Sequence, residues 1–282
     1  MHDMTERHGA LLDPLSVQLA AEILDDLEKV RMANGARYGA LTGFTPAGQP
    51  WKPDKDEQVR TAGMSPDHPD AVRFLSIYDA LGKVEADAVK GLEKAMGAHP
   101  LGPWVKAQRG LGFKQAGRLL AAIGDPYWRP EIVKTDEDGA EVSRTPAGPR
   151  TVSALWAYSG EHVIDGAAAR RKKGVKSNWS TNAKTRAWLC AESCVKQLVK
   201  PCTATDGHVN GECRCSPFRV KYDTRKAYTQ ANRLEWTDGH RHVDAMRVTA
   251  KEILKELWRE ARRLHLELDP DLIENLPEPF GT

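Results

Sequence analysis

No stretch of the sequence approaches the ~20 consecutive apolar residues of a bilayer-spanning helix, so no membrane span is expected. The opening Met1-His2-Asp3-Met4-Thr5-Glu6-Arg7-His8 has no apolar core, which argues against a secretory signal. Cysteine is scarce: five residues, an odd number, speak against a secreted disulfide framework and for a reducing cytoplasm. Residues 1–100 contain no alternating or continuous β-branched run, so no buried sheet is expected there. Basic residues are missing from the end of the chain, and 267–282 is expected to be an acidic flexible tail.

The 40% apolar and 28% charged residues are those of an ordinary globular protein, and the net charge is only +2. Its distribution is uneven. Residues 1–100 hold 11 Lys or Arg against 16 Asp or Glu, whereas 101–190 hold 15 against 8. Residues 216–265 hold 12 against 7. A polyanion would be drawn to the middle and late chain.

Apolar residues at three- and four-residue spacing predict a helix from Pro14 to about Ala33, stopped at Asn34-Gly35. Residues 42–69, rich in Gly, Pro and charge, read as a mobile loop. A second long helix is predicted from Asp70 to about Met96. Domain 1–100 is therefore expected to be a long antiparallel, coiled-coil-like helical pair with acidic outer faces, suited to docking a protein or to homodimerisation. Domain 101–266 is expected to be mainly α with a small β-hairpin insertion, Ile132–Lys134 and Glu141–Ser143 flanking a turn that ends in Asp138-Gly139. Further helices are predicted at 151–159, 182–199, 217–233 and 243–266.

The run Gln108-Arg109-Gly110-Leu111-Gly112-Phe113-Lys114-Gln115-Ala116-Gly117-Arg118 fits a helix-hairpin-helix. Glycines flank the turn so that the backbone can approach a phosphate, and Leu111 plugs the gap between the helices. The second helix offers its free N–H groups, and Lys114 and Arg118 add charge one turn apart. Gln115 lies in the same first turn. Four successive cations, Arg170, Arg171, Lys172 and Lys173, with Lys176 and Lys184 nearby, form a second candidate surface for phosphates. Trp179 and Trp188 close by either pack or stack on bases. His240-x-His242 suggests metal but has no obvious third ligand.

The span from Arg109 through Cys194 resembles the C-terminal domain of the insertion-sequence transposases related to the Piv invertase, the DEDD type. The resemblance rests on the Gly110–Gly112 turn, Ile123-Gly124-Asp125, Tyr158-Ser159-Gly160, and Asn182 to Arg186 in order. It implies a helix-hairpin-helix fold gripping double-stranded DNA. The family's catalytic RNase-H-like domain finds no counterpart in 1–100. The loop where the family places its serine nucleophile reads Val163-Ile164-Asp165-Gly166-Ala167-Ala168, with no serine. The resemblance thus implies a relative with no assigned catalytic residue, a DNA-binding accessory protein of a mobile element or phage acting in recombination. An active transposase fragment using Ser159, Ser177 or Ser180, and a protein that regulates a separate recombinase or integrase, are the alternatives.

Cys202, His208, Cys213 and Cys215 lie within fourteen residues of one another and are the ligand types zinc prefers. A structural zinc there, against a reduced loop with free thiols, is the remaining expectation.

Overall fold

Short polar residues set where the helices begin. The side chains of Thr151, Ser180 and Thr237 accept hydrogen bonds from the backbone N–H of Ala154, Ala183 and His240 at 3.2, 3.1 and 3.3 Å. The computed structural model describes residues 11–52, 62–136, 138–164, 166–171, 173–200, 202 and 213–270. Among these the chain is mainly helical: α1 (Leu15–Thr42), α2 (Pro69–Ala98), α3 (Gly102–Ala107), α4 (Phe113–Ile123), α5 (Val152–Tyr158), α6 (Thr181–Val195), α7 (Pro217–Asn232) and α8 (Asp238–Leu268). The strands form three antiparallel pairs: β1 (Trp128–Arg129) with β4 (Gly148–Pro149), β2 (Ile132–Thr135) with β3 (Glu141–Thr145), and β5 (Val163–Ile164) with β6 (Ala167–Ala168). The chain divides into two compact units, Leu19–Lys94 and the remainder.

Within Leu19–Lys94 the two long helices run antiparallel. Arg31 bonds Glu85 at 2.5 Å and Tyr78 at 2.7 Å. The first helix does not stop at Asn34-Gly35. A Cβ on Gly35 would stand 3.1 Å from the Tyr78 ring, and one on Gly39 2.3 Å from Trp51, so these glycines admit aromatic rings. The described part of the 42–69 loop is hydrogen-bonded, with Trp51 N donating to Gly43 O and Ala62 N to Ala40 O. Residues 53–61 lie outside the described residues.

In the other unit α8 packs on α5, α6 and α7, and α6 packs on α4. The face that α6 buries is made of Ala183, Ala187, Cys190, Ala191 and Cys194, small enough for helices to approach closely from both sides. Leu119, Leu120, Leu155, Phe218, Met246, Ile253 and Leu254 fill the space around it. The expected hairpin is β2–β3, closed by the Asp136 carboxylate, which accepts from Asp138 N and Ala140 N, with Gly139 at φ 82°. Helix α8 starts at Asp238, earlier than the apolar pattern alone predicts, because Thr237 caps it.

Asp125 ties this unit together. One carboxylate oxygen accepts from the N–H of Tyr127 and Trp128 at 2.8 and 2.9 Å, and the other meets His265 Nε2 of α8 at 2.6 Å. His265 is wholly buried, with the Trp128 ring stacked 5.7 Å away. Arg150 donates to the carbonyls of Pro126, Ile123 and Asp125, while its own carbonyl accepts from Trp258 Nε1. Burial lowers the Arg150 guanidinium to about 10.

Candidate nucleic-acid interface

The glycine turn joins α3 to α4, and its two glycines do different work. Gly110 has φ +88°, and a Cβ there would stand 2.6 Å from Gln197 Cγ and 2.9 Å from Cys194 Cα. Its carbonyl accepts from Ser193 Oγ at 2.7 Å. Gly110 therefore lets the turn seat on the end of α6. Gly112 is exposed, and nothing lies within 4 Å of its missing Cβ. It precedes α4, whose first turn has no side-chain cap. Leu111 is buried, as a plug would be. Lys114 and Gln115 are half-buried in the first turn. Arg118 departs from the expected outer face: it is 4% exposed, because α4 is buried all round from Ala116 to Leu120. Arg109 is exposed, and its guanidinium donates to the carbonyl of Arg214.

Downstream, Tyr158-Ser159-Gly160 forms the turn after α5. Gly160 has φ +66°, and a Cβ there would collide with Trp179 at 2.4 Å. The Trp179 indole packs edge-on to His162 and has the Lys184 ammonium 5.7 Å from its ring centre. Trp188 meets His242 edge-on, and His242 Nδ1 lies 2.7 Å from the Tyr222 hydroxyl, so His242 is engaged by aromatic neighbours while His240 is exposed. Arg170, Arg171, Lys173 and Lys176 are exposed and have no carboxylate partner among the described residues. Lys172 lies outside the described residues. Lys184 is half-buried, donates to Ala169 O at 2.8 Å, and burial lowers its ammonium below the usual range.

Two open grooves flank this basic segment. The smaller, about 310 Å³, is lined by Arg170, Arg171, Trp179, Thr181, Lys184 and Thr185 around Ala169. The larger, about 690 Å³, lies between residues 166–170, the α7–α8 connection and the first turns of α8. Beneath them is a residue that sequence reasoning missed. Glu161 is 1% exposed, and burial pushes its carboxyl up to about 7 against the pull of Lys184, Arg247 and Lys251. Arg247 reaches its backbone carbonyl at 3.3 Å, and the Lys251 ammonium sits 4.0 Å over the Trp156 ring.

Of the serines considered as nucleophiles, Ser159 is fully buried and the Ser180 hydroxyl is engaged as the α6 cap. Ser177 is half-buried in the basic segment.

Three cysteines expected to bind metal do come together. The Sγ atoms of Cys202, Cys213 and Cys215 all lie within 4.8 Å of one another, so they can hold a metal ion. His208 lies outside the described residues. The Val199 N–H donates to Cys215 Sγ at 3.2 Å. Cys190 and Cys194 are core residues of α6, with Cys190 Sγ 3.5 Å from Gln115 O. Burial pushes the Cys194 thiol up to about 12 and raises Cys190 as well.

No helix among the described residues is long and apolar enough to cross a membrane. Comparison with protein-family models, curated proteins and solved structures finds no match for the chain.

Proposed function

We propose that this chain is a DNA-binding accessory protein of a mobile element or phage, contacting duplex phosphates and acting beside a separate recombinase. The observation that carries the reading is the segment 170–176, whose four described cations are exposed and have no carboxylate partner among the described residues. Like charges so close repel one another unless a polyanion supplies the counter-charge. The N-terminus of α4, with no side-chain cap and with open space beside Gly112, supports a helix-hairpin-helix contact with a second phosphate. Such contacts set position and affinity without reading sequence. Duplex binding titrated across salt concentrations tests the proposal. Affinity should fall steeply with salt, and salt-independent binding, or none to any duplex, would refute it.

The metal that the three cysteines would hold is zinc, with His208 completing the set. Zinc takes thiolates at ~2.3 Å in a tetrahedron and closes loops that have little apolar anchoring of their own. The docking role falls to α1 and α2. Ile23 and Val30, and likewise Ile77 and Val84, are exposed and one heptad apart, a pattern suited to a second copy or to a recombinase.

A further inference from the structure

We infer that the larger groove is a binding site for an unpaired nucleotide, its base against Trp236 and its phosphate between Arg170 and Arg233. The inference deepens the nucleic-acid reading above by naming a second kind of substrate for the same face.

The groove's cations fall into two sorts. Arg225 and Arg247 share Asp244, at 2.5 and 3.6 Å, so they are held in place and half of their charge is offset. Arg170 and Arg233 are exposed and have no carboxylate partner among the described residues. Glu235 is the other carboxylate among the described lining residues, which carry four arginines against two carboxylates. An anion is therefore the expected occupant, and Arg170 and Arg233 are the residues free to receive it.

Size and shape narrow the class of anion. About 690 Å³ is several times what a phosphate ion fills, and it lies in the range of sites that take a molecule with a ring system. The rest of the lining includes apolar atoms of Ala167, Ala168 and Val243, which a bare phosphate would not use. Trp236 is half-buried in this wall, with the Arg233 guanidinium 5.7 Å from its ring centre. An indole beside an unpaired arginine offers a stacking surface and a phosphate partner together. A base still paired in a duplex presents only its edge and cannot lie on the indole, whereas an unpaired base can. Every base has a π-face, so the site is expected to tolerate any sequence.

The groove and the basic segment can be separated experimentally, because Arg171 and Lys173 do not line the larger groove whereas Arg233 and Trp236 do. The test uses the full chain and two fluorescein-labelled probes: oligothymidylate of about eight nucleotides, within the usual site size for single strands, and a blunt duplex. Trp236→Ala and Arg233→Ala should each weaken oligothymidylate binding about tenfold and leave duplex affinity unchanged. Trp236→Phe should keep most of the affinity while removing part of the tryptophan quenching seen on binding. Circular dichroism and melting temperature confirm that each variant is folded. If Trp236→Ala fails to fold, Arg233→Glu, an exposed change, decides the matter. Unchanged oligothymidylate affinity in the folded variants would overturn the inference. So would a parallel loss for both probes, which would make the groove part of the duplex surface. Wild-type protein that binds the duplex but not oligothymidylate refutes the groove and leaves the proposed function standing. Binding of oligothymidylate alone does the reverse.

Discussion

A carboxyl held at about 7 makes Glu161 a source of pH dependence near neutrality. Burial favours the protonated form in the fold, so its contribution is fully present below the ordinary carboxyl value of 4.5 and is lost as pH rises through about 7. The loss amounts to at most about 3 kcal/mol at roughly 1.4 kcal/mol per unit. Urea denaturation of the wild type at several pH values should show stability falling across that window, and Glu161→Gln should flatten the fall. An equal slope in both proteins would mean that other groups carry it. The two glycines of the turn give a second residue-scale test. Gly110→Ala meets both an unfavourable φ and the Cys194 backbone, and should cost about 2 kcal/mol or more in the same measurement. Gly112→Val meets open space and an ordinary φ, so stability should hold while duplex affinity falls with little change in salt slope.

At the scale of elements, the basic segment should behave as an electrostatic unit. Replacing Arg171, Lys172 and Lys173 with alanine should lower duplex affinity and flatten its dependence on log salt by roughly 0.9 for each phosphate no longer neutralised. Much of this scale was legible in the sequence. Apolar spacing located the long helices, and Thr151 marked the start of α5. The Asp-Gly pair marked the hairpin turn. What was not legible depends on partners distant in sequence. Gly35 looks like a helix stop until Tyr78 is placed against it, and Arg118 looks like a surface cation until α4 is packed. Glu161 is unremarkable in sequence, because its burial comes from α6 and α8. The larger groove joins residues 166–170 to Arg225, Arg233 and Trp236, which the sequence separates by about sixty positions. The cysteine cluster was legible because its spacing is local.

For the whole molecule, metal analysis of protein purified without a histidine tag should find about one zinc per chain. Chelation or Cys213→Ser should release it and expose the loop to protease. Because Arg109 donates to the carbonyl between Cys213 and Cys215, zinc removal should also weaken duplex binding at the glycine turn. Metal-free protein with an intact, protease-resistant loop would dispose of the site. The exposed heptad residues of α1 and α2 predict self-association, measurable by sedimentation. Ile23→Glu with Ile77→Glu should yield monomer without loss of duplex affinity. A different consequence follows from the bond between Asp125 and His265, residues 140 positions apart. During synthesis the glycine turn, the basic segment and both groove walls all emerge before the residue that closes the core around them. Nascent chains stalled before α8 is complete should therefore remain protease-sensitive throughout this unit, and its folding should wait on the last turns of that helix.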